Sequence, residues 1–489
     1  MIDASPRSRS LLDFRPQPPD RLGILTMLAS LYFIQLHSHL LLRLDLDPFS
    51  LRNLAAFALL ASCVFGVLFA RFYPILLVNA GVFFAAYLWR MPVESNNQTL
   101  AMFFCFTALA AAACQLIGWR RGQWGLDRDT LFELIAGPGR WLLAIMYFYG
   151  IYHKINADFL DPTVSCGTLL YQLLAAKAEG VLHALTGWAP DLVGWPVGQY
   201  GAIWGTFIVE GLAMVLLFSI RYKKLGFIIG VPFHILIGWT GYAYYIDFST
   251  IVLVLYALFL PREATDAAEA RLARLFGSAT RARATCWAAA LVLLVSFAIY
   301  AGIFQDWRLA RTAQATFVWL FSAYAFAFYA FAVAFVPWSA TRSVPLFRFR
   351  PKILILIPVL YFLNGASPYV GLKTESTVSM FSNLHTEGGR TNHLIHGQLP
   401  ISAGYQNDLV YILGTNGRPS GADATAVVRF EFDRQMARGA AGSKTIRYKG
   451  ELRTVDDSWR NSYLEASWWE RKVLIFKPVD FTRPKACTH

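Results

Sequence analysis

The chain is dominated by apolar runs of about twenty residues, which recur between residues 23 and 366. A helix of about 20 apolar residues crosses the roughly 30 Å hydrocarbon core of a bilayer. Only 15% of the 489 residues are charged, whereas a soluble domain carries about 25%. The chain therefore cannot be a large soluble, disordered or coiled-coil protein, and it is predicted to be a polytopic membrane protein.

Eleven spans are predicted from these runs. They cover approximately residues 23–42, 51–69, 74–90, 100–118, 141–154, 201–220, 225–241, 244–260, 286–305, 313–336 and 352–366. The predicted fold is an all-α polytopic membrane bundle of about 11 transmembrane helices, followed by a small β-rich extracytoplasmic domain at the C-terminus.

The positive charges predict the orientation of the bundle. With the N-terminus inside, the inner segments hold 21 Lys and Arg residues, and the outer segments before the tail hold seven. Cytoplasmic loops of membrane proteins carry such an excess. The sequence thus predicts a cytoplasmic leader over 1–21 and a membrane domain over 22–366. The net charge of +13 is then a topology signal, and no nucleic-acid partner is predicted.

The tail, residues 367–489, has a different composition and contains no predicted span. Alternating stretches that begin at Asp408, Ala426, Thr445 and Val473 predict strands, so we expect a small β-rich domain. None of the six cysteines forms a CxxC pair, and no metal site is predicted. Two cysteines, Cys166 and Cys487, fall outside the spans, and the sequence leaves open whether they pair.

The first candidate site lies where the fifth span ends, at Lys154. An aromatic-rich stretch that includes Tyr147 precedes this lysine, with His153 beside it and Asp158 after it. Burial at the edge of the hydrocarbon disfavours the charged ammonium, and a neutral amine is a usable base. The alternative is a lysine that anchors the span end by extending its ammonium to the interface.

Two further ionisable residues lie within predicted spans. Glu210 costs at least about 2.5 kcal/mol to insert at mid-span, so it must face the bundle interior as a structural group or as part of a polar site. His234 follows Phe233 in a span that also holds Trp239, and it is either a helix–helix hydrogen-bonding group or a proton carrier. We expect Lys154, Glu210 and His234 to line one cavity.

The last candidate site follows the final span and is rich in polar residues for a linker. It is predicted to be either a binding rim over the outer face or a capped loop packed against the membrane domain. Its candidate residues are Asn364, Tyr369, Lys373, Asn383 and His393.

The segment around Lys154 resembles the vitamin K-dependent γ-glutamyl carboxylases, within the superfamily of horizontally transferred transmembrane domain proteins. Tyr147-Phe148, Gly150 and Lys154-Ile-Asn156-Ala-Asp158-Phe159 carry the likeness, together with Phe233-His234 and the spacing of Glu210 and Arg221. The resemblance covers roughly residues 20–262. Asn156 stands where the family has Asp, and Phe159 stands where it has Trp.

The resemblance implies that Lys154 is the base that deprotonates reduced vitamin K or another hydroquinone. In that family, reaction of the hydroquinone with O2 yields a strong base, which removes a γ-proton from a peptidyl glutamate, and CO2 then adds. The match implies an extracytoplasmic reaction face and a peptide or protein substrate there. It identifies His234 with the family's Phe-His pair without fixing its role. The implied activity is lyase and oxidoreductase chemistry.

Two other functions are compatible with the sequence. The polar tail favours a non-enzymatic membrane scaffold or a maturation partner that binds a peptide or protein. A transporter would require an inverted repeat with broken helices, and the sequence shows one candidate break, at Gly230 and Pro232, without a counterpart. The transporter is therefore the least favoured of the three.

Overall fold

The computed structural model describes a chain that is mostly helical and carries a small antiparallel sheet near its C-terminus. The described residues are 20–37, 50–240, 245–303, 309–335, 349–397, 404–415, 418–419, 425–438, 442–456 and 462–487. Of the predicted leader, only Asp20 and Arg21 lie among them.

Fourteen α-helices are described before the sheet. They are α1 (Arg21–His37), α2 (Leu51–Leu68), α3 (Pro74–Arg90), α4 (Asn96–Arg120), α5 (Arg128–Tyr152), α6 (Ala157–Leu160), α7 (Cys166–Thr186), α8 (Pro196–Phe218), α9 (Lys223–Trp239), α10 (Tyr245–Ala257), α11 (Arg262–Leu275), α12 (Ala279–Ile303), α13 (Leu309–Phe335) and α14 (Leu356–Ala366).

Three described helices, α4, α5 and α8, are long and apolar enough to cross a membrane. Five shorter apolar helical stretches accompany them. They are Leu54–Leu68, Pro74–Arg90, Ile246–Ala257, Phe321–Ala334 and Lys352–Ala366. This apolar character is consistent with a membrane protein, and the count of eleven spans and the orientation stay predictions.

The chain divides into two compact units. The first comprises Met1–Ala85, Leu100–Ala144 and Val209–Pro358, and the second comprises Ala86–Thr99, Ile145–Ile208 and Val359–His489. In the first unit, α1 packs against α2 and α10, and α9 packs against α10 and α13.

Ion pairs join the ends of helices in the first unit. Arg21, at the start of α1, lies 3.1 Å from a carboxylate oxygen of Asp129 and 2.7 Å from one of Glu133. Arg140, predicted to lie in a cytoplasmic loop, is instead inside α5, because that helix begins twelve residues earlier at Arg128. Its Nε donates to the Leu258 carbonyl at 2.8 Å, so the buried guanidinium joins α5 to the turn that follows α10.

The sheet belongs to the second unit. Its strands are β1 (Leu409–Thr415), β2 (Arg418–Pro419), β3 (Thr425–Val428), β4 (Lys444–Tyr448) and β5 (Glu451–Val455). They pair antiparallel in the order β2-β1-β4-β5, and β3 also pairs with β1. The core of the sheet contains Val410, Val427 and Ile446.

The tail is more helical than the sequence predicts. The stretch from Ala426 leaves the strand at Val428 and forms α15 (Arg429–Ala437). Phe432 and Met436, one turn apart, pack on the sheet, and Arg429 pairs with Asp433 at 2.6 Å along the helix. Helical spacing of apolar and charged residues therefore outweighs the β-prone Val-Val start.

The final predicted strand, from Val473, is also wrong. Two short helices precede it, α16 (Ser462–Glu465) and α17 (Trp468–Val473), and Val473 ends the second of them. The next residues run extended outside the sheet, where the Ile475 carbonyl accepts a hydrogen bond from the Thr374 N–H at 3.0 Å. The strand-like pattern thus reflects packing against residues that follow α14.

Candidate functional site

Lys154 lies in a tight turn that follows α5. Its backbone N–H donates to the Ile151 carbonyl at 3.0 Å, and the Asn156 N–H donates to the Lys154 carbonyl at 2.8 Å. The Asn156 side chain then begins α6 by accepting from the Phe159 N–H at 2.8 Å. The lysine is buried, with 7% of its surface exposed, and its Nζ lies 5.8 Å from the centroid of the Phe159 ring.

His153 is fully enclosed beside this lysine. Its Nδ1 lies 2.8 Å from the Tyr369 hydroxyl, and its Nε2 lies 3.2 Å from the Thr377 carbonyl. Because a carbonyl only accepts, Nε2 carries the proton and Nδ1 accepts from the tyrosine. Both nitrogens of this imidazole are engaged, so His153 connects the turn to the segment after α14.

That segment, which we take as residues 364–393 to include the last turn of α14, is mostly buried although it contains little regular structure. Four non-glycine residues within it, Ser376, Val378, Phe381 and Asn383, have φ between 55° and 64°, a region that side chains disfavour. Each such residue costs about 1–3 kcal/mol and persists only where the surroundings impose it. Strain of this kind clusters at functional sites, which makes the segment a candidate.

Three asparagines hold the segment to the Lys154 turn; we call Asn156, Asn383 and Asn392 the asparagine cluster. Asn156 Nδ2 donates to the Ser382 carbonyl at 2.6 Å. Asn392 Nδ2 donates to the Asn383 carbonyl at 2.7 Å. The Asn392 carbonyl accepts from the Ala157 N–H at 3.1 Å. The side chains thus supply the backbone partners that a helix or sheet would otherwise provide.

The C-terminal residues complete this arrangement. Asp158 Oδ2 accepts from Asn392 Nδ2 at 2.8 Å and from the Lys485 N–H at 2.9 Å. Cys166 and Cys487 form a disulfide with their Cα atoms 4.8 Å apart, which resolves the pairing that the sequence left open. The disulfide holds the end of the chain against the start of α7.

An aromatic surface continues from the same end of α5. The Phe148 ring stacks on Tyr152 at 5.6 Å between centroids and lies 6.0 Å from Phe362 of α14. Phe148 is 41% exposed and Phe362 is 42% exposed. Close approach of α14 depends on Gly365, because a Cβ there would lie 2.2 Å from atoms of the Tyr149 ring.

The residues predicted as an outer rim are mostly interior. Tyr369, Lys373, Asn383 and His393 are all buried, and Asn364 is half-buried. His393 Nε2 donates to the Tyr152 carbonyl at 2.9 Å, and burial lowers the pKa of this histidine. Burial also lowers the pKa of Lys373 to about 8. These four side chains are therefore packed inside the second unit, and the role of the segment as a binding rim stays a prediction.

The remaining candidates lie in the first unit. Glu210 is buried in α8, and His234 is buried in α9 with its ring 5.4 Å from Phe233. The His234 carbonyl accepts from the Ser249 hydroxyl at 2.7 Å. Trp239 donates from Nε1 to the Ser322 hydroxyl at 2.7 Å and is 37% exposed.

The structure groups one part of the predicted site. Lys154, His153, Asp158, Tyr147 and the predicted rim residues belong to the second unit, whereas Glu210 and His234 belong to the first. The cavity expected to join Lys154, Glu210 and His234 therefore stays a prediction.

Sequence reasoning missed several residues of the site. Thr377 and Lys485 contact His153 and Asp158, but they lie far along the chain and match no motif. Only the two cysteines outside the spans indicated that the C-terminus returns to this region. Outside this site, Asp247 lies in the first turn of α10 and is half-buried, and its charge within a predicted span was a signal that sequence reasoning did not use.

No protein-family model, curated protein or solved structure matches this chain at a significant level. The resemblance to the carboxylases thus stays a prediction, and the proposal below depends on the residues themselves.

Proposed function

We propose that the protein is an integral membrane enzyme that uses a hydroquinone and O2 at the Lys154 turn, with carboxylation of a peptidyl glutamate as the coupled reaction. The observation that carries the proposal is the burial of Lys154, whose Nζ lies 5.8 Å from the Phe159 ring centroid, in a turn that Asn156 bonds to a strained segment. A lysine amine held in a buried turn is positioned to act as a base toward a substrate that binds beside it.

The aromatic surface fits a hydroquinone. Phe148 and Phe362 are each about two-fifths exposed, and aromatic rings of this kind can pack against a quinol ring at centroid distances of about 4.5–7 Å. A lipid-soluble quinol would reach such faces from the bilayer, and Lys154 follows Phe148 by six residues in sequence. The quinol supplies the reducing electrons for O2 when it is bound.

Each residue has a defined task in this proposal. Lys154 Nζ accepts the proton of a quinol hydroxyl, so the O–H bond breaks and an N–H bond forms. His153 and Asn156 position the turn, because both side chains are bonded to the buried segment. In the net reaction the hydroquinone is oxidised to its epoxide with one oxygen atom of O2, and the other oxygen leaves as water.

The carboxylation itself replaces a γ-hydrogen of the peptidyl glutamate. The C–H bond breaks, its proton leaves to a base, and the carbon forms a bond with CO2. This reaction needs a peptide substrate on the extracytoplasmic side, which is the side that the basic-residue asymmetry predicts for Lys154.

The test uses the purified protein in detergent with vitamin K hydroquinone, O2, labelled bicarbonate and glutamate-containing peptides. Wild type should fix label into the peptide, and Lys154→Ala should lose at least about a hundredfold of that rate, as removal of a general base does. Lys177→Ala, at an exposed lysine of α7, should behave like wild type.

Two results would change the proposal. If epoxide forms without fixed label, the protein oxygenates the quinol but does not carboxylate these peptides. If Lys154→Ala fixes label at the wild-type rate, Lys154 is not the base.

A further inference from the structure

The helices α7 and α8 form an antiparallel hairpin whose tip, residues 187–195, is tightly organised. The Tyr171 hydroxyl donates to the Leu192 carbonyl at 2.7 Å, and Glu179 accepts from the Val193 N–H at 2.8 Å. Gly198 allows the helices to meet, because a Cβ there would lie 2.1 Å from the Tyr171 hydroxyl oxygen. The two polar side chains of α7 therefore point into the hairpin and hold its tip.

The tip satisfies most of its own backbone. Six of its N–H groups have acceptors within the hairpin. They belong to Gly187, Trp188, Leu192, Val193, Gly194 and Trp195. Polar backbone groups near lipid must be satisfied within the protein, so a tip organised in this way is compatible with a position at the membrane boundary.

The outside of the hairpin is apolar. Leu185 is 78% exposed, Trp188 is 62% exposed and Val181 is 58% exposed. Residues 181–208 contain a single acidic residue, Asp191, and no Lys or Arg, and the exposed Lys177, one turn before Val181 on the same helix face, marks where the apolar part of α7 begins. Asp191 Oδ1 accepts from the Gly194 N–H at 2.9 Å. A surface of this kind offers little to a charged partner.

The apolar surface continues down α8. Val197, Tyr200, Trp204 and Ile208 are each at least half exposed, and their spacing of three or four residues places them on one face of the helix. At about 1.5 Å of rise per residue, this stripe is about 16 Å long, which is close to half of the roughly 30 Å hydrocarbon core. The helix is itself one of the three long apolar candidates for a span.

We infer that the α7–α8 hairpin is seated in one bilayer leaflet, with the stripe of α8 and the outer face of α7 against acyl chains and Trp188 and Trp195 at the headgroup boundary. Tryptophan is enriched at that boundary because its ring is apolar and its N–H is polar. α7 is then a lipid-contacting helix that hydropathy alone does not identify. The inference does not depend on the enzymatic activity proposed above.

The experiment measures the depth of spin labels in the full-length protein reconstituted in phosphatidylcholine vesicles. The free cysteines Cys63, Cys105, Cys114 and Cys286 are replaced by serine or alanine, and the disulfide is kept. Labels are attached at Leu185→Cys and, separately, at Val181→Cys and Trp188→Cys. The control is Leu452→Cys, on an exposed position of β5.

Collision with O2, which concentrates in lipid, is compared with collision with a water-soluble nickel chelate. Labels at 181 and 185 should collide more with O2 than with the chelate, the label at 188 should be intermediate as expected at the headgroup boundary, and the label at 452 should collide more with the chelate. Chelate access at 181 and 185 equal to that at 452 would overturn the inference. A second result would also overturn it: both reagents are excluded, and the label shows spin–spin broadening that disappears on dilution with unlabelled protein. A second copy of the protein, rather than lipid, would then cover this face.

Labelling at 185 is expected to leave the fold intact, because the side chain is largely exposed. Val181 provides a second, independent position on the same helix if a substitution at the tip prevents folding.

Discussion

Two buried regions of the molecule satisfy their backbone N–H and C=O groups in different ways. In the first unit, the helices α1, α9 and α10 satisfy their own backbones, and polar side chains add isolated contacts, such as the Thr250 hydroxyl 2.6 Å from Gln35 Oε1. In the second unit, residues 364–393 are equally buried but irregular, and the asparagine cluster supplies the missing backbone partners. Loss of a polar side chain should therefore lower the stability more in the second unit, where side chains bond to backbone groups, than in the helices of the first.

The largest predicted effect is therefore at Asn383. Its Oδ1 accepts from the Cys166 N–H at 2.9 Å, and its Nδ2 donates to the Val164 and Lys485 carbonyls at 2.9 and 2.7 Å. Asn383→Ala leaves three buried backbone groups without these partners at about 1–3 kcal/mol each. We expect a loss of about 4 kcal/mol or more, measured as a lower thermal midpoint in detergent.

Asn383→Gly separates the loss of the side-chain hydrogen bonds from the cost of a positive φ at a residue with a Cβ. The φ of 55° at this position suits glycine, so this variant removes the side-chain bonds without the backbone penalty. It should be less damaging than alanine. An alanine variant as stable as wild type would contradict the role given to the asparagine cluster.

Loss of the disulfide should have the next largest effect. Replacing Cys166 and Cys487 together by serine removes a covalent link that holds the chain end near Asp158, and disulfides contribute about 3 kcal/mol. The thermal midpoint should fall, and a reducing agent should reproduce the fall in wild type. Cys286→Ser, at an exposed free cysteine, is the control, and equal midpoints would show that the other contacts suffice.

Lys373 predicts a dependence of stability on pH. Burial lowers its pKa from 10.5 to about 8 in the folded protein, so between these values the unfolded chain binds the proton and the folded chain does not. Stability should therefore rise with pH, by about 2 kcal/mol between pH 8 and pH 9.5. Lys373→Met should remove that rise, and an unchanged slope in this variant would assign the titration to another group.

The smallest effect is expected in the helical region. Thr250→Val keeps the shape of the side chain and removes its hydroxyl contact with Gln35, so the loss should be about 1 kcal/mol. Thr265→Val, at the surface of α11, is the matched control and should change the midpoint less. A loss at Thr250 as large as that at Asn383 would remove the distinction between the two regions.

The sequence predicts the apolar helices well, because each is a local pattern of composition and length. It also indicates Lys154 as a candidate, because a charge at the end of an apolar run is a local signal. The sequence does not predict features that depend on contacts between residues distant in the chain. The burial of residues 364–393 depends on the return of Lys485 and Cys487, and no local pattern contains that return.

Strand-like and helix-like patterns can also occur next to each other in the sequence, as they do in the tail. At Val427-Val428 the β-branched residues form a strand, and from Arg429 the apolar and charged residues at helical spacing form α15. α7 was not predicted because Lys177 and Glu179 interrupt its apolar run, yet Glu179 accepts hydrogen bonds from the tip of its own hairpin. A charge count cannot distinguish such an internal bond from a water-facing residue.

The most direct test of the central claim, that Lys154 initiates oxygen-dependent chemistry on a hydroquinone, is epoxide formation under isotopically labelled O2. Purified wild type and Lys177→Ala should each form vitamin K epoxide that carries one labelled oxygen atom, and Lys154→Ala should form almost none. Absence of labelled epoxide from the wild type, or its formation by Lys154→Ala at the wild-type rate, would contradict the claim.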